Sequence, residues 1–558
     1  MLEVGSRFKS SVASIVLIIS ALSLNATAQQ TKLGKVQFPT SGSEKAQVHF
    51  LRGLAALHSF WFEEALDEFR ESTKIDPDFV MGYWGEAMAY NHPLWAEQDT
   101  EAARKTLAKI KDGSKTTARE RAYVDAVRAL YGPGDKLARD KAYSAAIEKL
   151  YRNSLDDLEA ACFYSLSLLG TVRPGDKGFG RQTLAGAIAF DVYQKNPDHP
   201  GAAHYIIHSF DDPEHAILAL PAARRYAEIA PEAHHARHMP AHIFLQLGMW
   251  PEAAASNESA WAVSNAWVKR KGLPISARDY HSLHWLEYVY LQQGRYAKAE
   301  ELLSMKRSDV EQAKNDAGVA RYNQDMAVAF VVETERWDLV VKLFGAGGDS
   351  SAEGMAGHAA HNAPPAPATG RRRSNQSLPV FIRGMAAAKT GSTEAPQYSA
   401  QLQALTKQLS EGGESYAAKS AEIMHHEISA MVHASKGNYD QAIELMKRAS
   451  AIEEEMSPPS GPPSLIKPSH ELFGEILLSA SRPKEAARQF ETSLLRQPNR
   501  ARSLLGAARA AAKMGDTKAA LETYSKVIRQ WSKADPNLPE LREAQDYLKQ
   551  ASTGPAAR

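Results

Sequence analysis

The sequence predicts an all-α protein in which consecutive pairs of antiparallel helices stack into a solenoid. Three observations support this fold class. Helix-favouring Ala, Leu, Glu and Lys are abundant, small and aromatic residues recur about every 34 positions, and glycine turns separate helix-sized segments. The 558-residue chain is too long for one compact core, so an elongated array is expected.

The first predicted helix pair begins at Ala46. Gly53 in its first helix and Ala65 in its second are small, which lets the two helices approach closely. Phe69 fills the space between the helices, and Pro77 ends the second one. These positions are typical of one complete helix-turn-helix repeat.

The same pattern returns near the end of the chain and, in part, between the two ends. Gly474, Ala486, Phe490 and Pro498 stand at matching offsets. Glycine turns in LQLGMWPEA, LQQGRYAKA and SKGNYDQA mark further copies, which gives about eleven candidate repeats. Helix pairs are therefore expected along most of the chain.

These repeats resemble the tetratricopeptide-repeat (TPR) superfamily over nearly all of the chain that follows the N-terminal segment. The resemblance implies a right-handed superhelix whose first helices line a concave face. HMPAHIF at His238–Phe244 and AAHYIIH at Ala202–His208 also resemble segments of a group of exported bacterial TPR proteins without a settled activity. This second resemblance implies no mechanism.

The N-terminal segment, residues 1–28, is predicted to be a signal peptide. Arg7 and Lys9 precede an apolar run, and residues 26–28 form a cleavage site of the A-x-A type. The mature sequence contains no further apolar run long enough to cross a bilayer. We therefore expect a periplasmic or secreted protein without stable membrane insertion. The alternative is an uncleaved membrane anchor.

Composition limits the partners and the covalent chemistry. Lys plus Arg number 66 and Asp plus Glu number 65, so no strong positive field attracts nucleic acid. Cys162 is the only cysteine, which excludes a disulfide within the chain. Its apolar, helical surroundings indicate a core residue rather than a nucleophile.

The mature sequence divides where its composition changes. Residues 345–377 are rich in Gly, Ala and Pro and are expected to form a flexible loop. The proline-rich stretch Ser457–Ser469 is expected to be a stiff insert, either over the concave face or between repeats. The predicted division is a linker at 29–45, an array at 46–344, the loop at 345–377, a second array at 378–550 and a tail at 551–558.

Histidine pairs at helical spacing mark the middle of the chain. Two pairs are spaced four residues apart and one pair three apart, so each presents two imidazoles on one helix face. In the repeat frame, these places are predicted to face the groove of the superhelix. The predicted ligand-binding set is His204, His208, His235, His238, His242, His281, His284 and Tyr288.

The histidines allow three interpretations. Imidazole binds transition metals, and the candidate metal set for Zn, Ni, Fe or Cu(II) is His204, His208, His238, His242 and His284. The same side chains could form a polar lining for a bound partner, or their alignment could be a coincidence of the fold. Candidates for direct or supporting ligands at nearby helix ends are Asp211, Asp212, Glu214 and Asp279.

Two functions follow from these interpretations. The first is an exported interaction protein, without enzyme activity, whose concave face holds a peptide, a protein or a small ligand. The alternative is a metal-dependent enzyme or metal-binding protein that uses the same histidines. The sequence lacks the motifs of nucleophile elbows, HExxH metalloproteases, phosphate-cradling loops and EF-hands.

Overall fold

The chain folds into a long succession of packed α-helices. The computed structural model describes residues 32–111, 115–173, 176, 178–314, 316–345 and 370–553. Within these residues, successive helices pack against one another, and the only sheet is a hairpin of two short strands in which Asn91 pairs with Gln98. The predicted all-α, helix-pair solenoid is confirmed.

Most of the N-terminal helices begin at a side chain that caps them. Ser43, Thr117 and Asp157, for example, each accept a hydrogen bond from a backbone N–H of the first turn. Between α3 and α4, the strands β1 (Asn91–His92) and β2 (Glu97–Gln98) flank the 3₁₀ helix Pro93–Trp95. The helices are α1 (Glu44–His58), α2 (Phe62–Ile75), α3 (Val80–Ala89), α4 (Thr100–Leu107), α5 (Ala118–Leu130), α6 (Lys136–Asn153), α7 (Leu158–Gly170), α8 (Gly180–Lys195) and α9 (Pro200–Ser209).

The central helices include one that proline divides. Pro240 has no N–H to donate to the preceding turn, so the segment expected as one helix forms two short ones, α11 and α12. The 3₁₀ helices Ile275–Ala277 and Trp337–Leu339 also lie here. The α-helices are α10 (Ala216–Ile229), α11 (His234–His238), α12 (Pro240–Gln246), α13 (Trp250–Lys271), α14 (Tyr280–Gln292), α15 (Tyr296–Gln312), α16 (Ala317–Ala320), α17 (Asn323–Thr334) and α18 (Val340–Phe344).

The C-terminal helices start earlier than expected. Residues 370–377, predicted as the end of a loop, belong to the first of these helices; residues 346–369 lie outside the described residues. The helices are α19 (Gly370–Thr390), α20 (Ala395–Glu411), α21 (Ser415–Ser435), α22 (Tyr439–Glu454), α23 (Ser469–Ser479), α24 (Pro483–Arg496), α25 (Ala501–Lys513), α26 (Thr517–Gln530) and α27 (Pro539–Thr553).

The first and the late helix pairs pack in the same way. A Cβ atom at Gly53 would lie 3.0 Å from the Phe69 ring, and one at Gly474 would lie 2.6 Å from the Phe490 ring. Both phenylalanines are fully buried. The small residues of the repeat pattern are therefore required by close helix contact, as the sequence predicted.

The C-terminal repeats pack against the central ones. The Trp250 indole donates a hydrogen bond to the Asn499 carbonyl at 2.9 Å, and the Trp531 indole donates to the Gln292 carbonyl at 3.0 Å. The backbone N–H of Asp535 donates to the Gly294 carbonyl at 3.0 Å. These contacts join residues more than 200 positions apart, so the array is not an open superhelix along its whole length.

The N-terminal end also contacts the central helices. The extended stretch expected as a linker is packed, because Leu33 and Phe38 are buried in the core. Lys271 at the end of α13 forms ion pairs with Glu64 and Asp67 of α2. The middle of the chain is therefore enclosed by both ends.

The export prediction falls on residues that the structure does not describe. The proposed signal peptide, residues 1–28, precedes the described part of the chain, and the predicted tail lies mostly beyond it. Among the described residues, no helix combines the length and the apolar character that crossing a bilayer requires.

Candidate metal centre

Six histidines from the central helices form one buried group. His204 and His208 come from α9, and their nitrogens lie within 4.8 Å of His235 on α11; we call these three rings the first triad. The second triad also has its nitrogens within 4.8 Å of one another, and it consists of His238 of α11, His242 of α12 and His281 of α14. The sequence spacing brought each helical pair onto one face, and helix packing brings the pairs together.

Two rings of the second triad are held by hydrogen bonds from Nδ1. His238 Nδ1 lies 2.6 Å from Asn257 Oδ1, and the Asn257 amide is oriented by its own donation to the Ala253 carbonyl. His242 Nδ1 lies 2.6 Å from Asp211 Oδ2. Amide and carboxylate oxygens accept hydrogen bonds, so the proton of each neutral ring is on Nδ1 and the lone pair is on Nε2.

These two lone pairs face each other. His238 Nε2 and His242 Nε2 are 3.1 Å apart. In neutral rings with Nδ1 protonated, neither nitrogen can donate to the other, so the contact is repulsive unless a cation lies between them. Two nitrogens bound to one ion at about 2.0–2.1 Å and a near-tetrahedral angle would be about 3.3 Å apart. The observed spacing is suited to a shared metal ion.

Burial keeps five histidines of the cluster neutral. It lowers the pKa of His204 and of His238 to about 3, and it lowers the pKa of His208, His235 and His281 well below the ordinary value of 6.5. At neutral pH, each of these rings therefore retains a nitrogen lone pair that can bind a metal ion.

Trp285 and the proline-rich segment cover the second triad. The Trp285 ring lies 4.2 Å from the His242 ring and 4.9 Å from the His238 ring, measured between centroids. A Cβ atom at Gly461 would collide with Trp285, and Gln246 Nε2 donates to the Pro459 carbonyl at 2.9 Å. The proline-rich insert therefore contacts α12 and α14, and it also separates α22 from α23.

A third buried histidine group is different because its hydrogen bonds are complete. Glu159 accepts from His58 Nε2 at 2.7 Å, from His199 Nε2 at 3.2 Å and from the Gln37 backbone N–H at 3.2 Å. His58 Nδ1 accepts a hydrogen bond from the Tyr205 hydroxyl, and His199 Nδ1 accepts one from the Ala202 N–H. Burial opposes ionisation of Glu159, but its contacts with His199 and His58 outweigh that effect and lower its pKa. No nitrogen of this group has a free lone pair, so we assign it a structural role.

The structure differs from the sequence predictions about the site in three respects. The histidines do not face an open groove, because the rings of both triads are buried or nearly so. His284 does not join the metal set; its ring stacks on Tyr322 at 4.9 Å. Tyr288 lies elsewhere, where its hydroxyl accepts a hydrogen bond from Arg500 at 3.0 Å. The first difference arose because an isolated repeat frame does not include the packing of the chain ends.

His235 and His281 were predicted as ligand-binding residues but not as members of the metal set. Asp211 was one of four candidates for a direct or supporting ligand, and its Oδ2 lies 2.6 Å from His242 Nδ1. The prediction did not include Asn257, for which the sequence gives no signal, or Trp285. Trp285 lies four residues after His281, and this spacing places both on one face of α14.

The match to a known family concerns the C-terminal part of the chain. Residues 472–537 match the family model described as a tetratricopeptide repeat. No curated protein matches the chain.

Several solved structures resemble the whole chain at low identity. Yeast Tom70 is 10% identical, with 92% of this chain and 91% of that chain covered and a TM-score of 0.30. A Rap protein complexed with competence and sporulation factor is 13% identical, with 74% and 99% covered and a TM-score of 0.34. The P58(IPK) TPR domain is 13% identical, with 91% and 100% covered and a TM-score of 0.21. Scores this low support no conclusion about function.

The family match includes the late helix pair whose packing repeats at the N-terminus. Gly474 falls within the matched residues, and Gly53 occupies the same place against its own phenylalanine. Such repeats support a protein-interaction role. Residues 472–537 therefore carry tetratricopeptide repeats, and the helix pair at Gly53 packs in the same way.

Proposed function

We propose that this protein binds a transition-metal ion through His238, His242 and His281. The observation that carries the proposal is the 3.1 Å contact between two Nε2 atoms whose rings are both fixed with Nδ1 as donor. A proton shared between the rings would also relieve the repulsion, and the Asp211 carboxylate would balance its charge, but a proton would leave the third converging ring, His281, without a role. A metal ion bound by both nitrogens, and by His281, relieves the repulsion and uses all three rings, and its bonds to the lone pairs offset the cost of burying its charge.

The donor set indicates the class of metal. Neutral imidazole nitrogens suit Zn, Cu, Ni and Fe, whereas Mg and Ca prefer oxygen ligands. The Asp211 carboxylate on His242 and the Asn257 amide on His238 are the kind of supporting partners that orient metal-binding histidines. Three protein ligands leave one position open for water or a small ligand, which is typical of catalytic rather than structural zinc sites. A bound ion could polarise a substrate or activate that water.

The alternative function, a peptide held in a histidine-lined groove, has weaker support. A peptide ligand needs an accessible surface, and the six rings of the triads are covered by Phe60, Trp285 and the proline-rich segment. Protein partners of the repeats are then expected on other surfaces. We also propose that the protein acts after export, on the strength of the predicted signal peptide at residues 1–28.

Metal analysis of untagged protein tests the proposal. Protein is purified, supplemented with Zn, Cu, Ni or Fe, freed of unbound metal and assayed by mass spectrometry of the elements. We expect at least about one equivalent of metal in the wild type and a large loss in His242→Gln. His49→Gln is the control, because His49 lies on α1 and bonds to Glu68 outside both triads. Less than about a tenth of an equivalent in the wild type would refute the metal site.

A further inference from the structure

The first triad, like the second, brings three imidazole nitrogens together at a largely buried place. His204 Nδ1 donates to the His58 backbone carbonyl at 2.7 Å, so the lone pair of that ring is on Nε2. His204 Nε2 lies 3.1 Å from His208 Nε2. His235 Nε2 is buried and has no hydrogen-bond partner within the described part of the chain. Three nitrogens therefore converge here with at least one fixed lone pair and one unsatisfied atom.

The turn between α1 and α2 supports the first triad. It provides the His58 carbonyl, and it places the Phe60 ring 4.3 Å from His204, 5.8 Å from His208 and 5.7 Å from His235. The backbone φ of Phe60 is +52°, a left-handed conformation that is strained for a bulky residue. Such strain persists where the surroundings enforce it, often at functional sites. The Phe60 ring therefore packs beside all three imidazoles.

The two triads are immediate neighbours. Ring centroids of different triads are as close as 5.7 Å, for His208 and His242, and 5.9 Å, for His235 and His238. Within a triad, the corresponding distances run from 4.6 Å, for His238 and His281, to 6.4 Å, for His242 and His281. The six rings therefore form one group rather than two separate sites.

We propose that the first triad, His204, His208 and His235, binds a second transition-metal ion, and that the two ions form one paired centre. This inference rests on the proposed function, since it assumes that the second triad holds an ion. Paired sites in proteins hold their ions about 3.5–4 Å apart and clamp a shared ligand between them.

The charge balance indicates what the shared ligand is. All six donors are imidazoles, which carry no charge when they bind an ion. The Asp211 carboxylate is hydrogen-bonded to His242 Nδ1, so it would not bind an ion itself. Two buried divalent cations carry four positive charges, and the nearby carboxylates of Asp211 and Asp279 offset only two of them, which is unfavourable. A small anion that bridges both ions, such as hydroxide, would reduce the net charge and occupy the open position of each. The ligand class is therefore a small anion.

Copper loading tests the paired centre through stoichiometry and magnetism. Metal-free, untagged full-length protein is incubated with Cu(II), freed of excess ion, and assayed for total copper and for the copper visible in its electron paramagnetic resonance (EPR) spectrum. We expect about two copper ions per chain, with an EPR signal that is largely lost or split because the two spins interact. Azide, a small anionic probe, should perturb both ions together.

Variants assign the second ion to the first triad. His235→Gln removes a nitrogen that makes no hydrogen bond, so it should preserve the fold while leaving about one copper with the ordinary EPR signal of an isolated ion. His204→Gln should do the same, and circular dichroism checks that both variants are folded. His49→Gln should behave as the wild type.

The outcomes separate this inference from the proposed function. One copper per chain in the wild type, or two copper ions with full and unsplit EPR signals, would overturn the paired centre but leave the single site. Two coppers that persist in both His204→Gln and His235→Gln would also overturn it, because the second ion would then lie elsewhere. Absence of bound copper, zinc, nickel and iron would overturn both proposals.

Discussion

The hydrogen-bond partner of one imidazole nitrogen decides whether the other nitrogen can bind a metal ion. In the second triad, Asp211 and Asn257 occupy Nδ1 of His242 and His238, which directs both Nε2 lone pairs inward. In the structural group around Glu159, the donors and acceptors alternate and no lone pair remains. Proximity of histidines is therefore a weaker criterion for a metal site than the bonding state of each nitrogen.

Asp211 provides the first residue-scale prediction. Asp211→Asn retains the size of the side chain but removes the negative charge that holds the His242 ring at Nδ1, so metal affinity should fall about 10- to 100-fold. Competition with a chromophoric chelator measures the affinity. Asp212→Asn is the matched control, because Asp212 bonds to His215 rather than to a triad ring. Equal affinities in the wild type and Asp211→Asn would contradict this supporting role.

Helix pairs hold these residues in place through small side chains at points of close contact. Gly53 and Gly474 have the same relation to Phe69 and Phe490 at opposite ends of the chain. At this scale, the sequence was informative, since the periodic small and aromatic residues predicted the helix pairs and their packing. The break at Pro240 followed from proline chemistry but was missed, because the repeat frame favoured one continuous helix.

Gly474 tests the packing of one element. Gly474→Ala places a Cβ atom 2.6 Å from the Phe490 ring, so the free energy of unfolding should fall by about 1–3 kcal/mol. Gly180→Ala is the control, because a Cβ atom at Gly180, in the first turn of α8, meets no atom within 4 Å. Urea unfolding followed by circular dichroism measures both variants. Equal stability of Gly474→Ala and the wild type would mean that the helices separate easily at this point.

The whole molecule encloses its centre, and this arrangement determines the environment of the histidines. Contacts such as Trp531 with Gln292, and Lys271 with Glu64, join residues far apart in sequence. Local periodicity contains no information about such contacts, so the sequence predicted an open groove where the structure has a covered cluster. The same limitation explains why the predicted metal set contained His284, whereas the second triad contains His281. Which of the two rings joins the triad depends on the neighbour that each ring faces.

A buried carboxyl group near the junction with the C-terminal repeats makes stability depend on pH. Glu287 is fully buried, neither of its oxygens has a hydrogen-bond partner among the described residues, and burial together with nearby Glu333 raises its pKa well above 4.5. The folded state therefore retains a proton that the unfolded chain loses above about pH 4.5, so this group lowers stability as pH rises from there towards its folded pKa.

Glu287→Gln should remove that loss. The free energy of unfolding of Glu287→Gln, relative to the wild type, should increase from pH 4.5 to pH 8, and the gain should reach about 1 kcal/mol or more at the higher pH. The melting temperatures of both proteins, measured across this range, show the trend. Glu252→Gln, at an exposed position of α13, is the control and should show no such trend. A difference between Glu287→Gln and the wild type that is constant across this range would show that the carboxyl group does not titrate differently on folding.

Anomalous diffraction from a crystal of the untagged, metal-supplemented protein tests the metal centre most directly. Data collected on both sides of the absorption edge of the bound metal locate any ion. We expect an anomalous peak about 2.0–2.1 Å from Nε2 of both His238 and His242. Asp211 should remain hydrogen-bonded to His242 Nδ1, and Asn257 to His238 Nδ1. No peak between these rings, with one ring turned so that an N–H donates to the other, would contradict it.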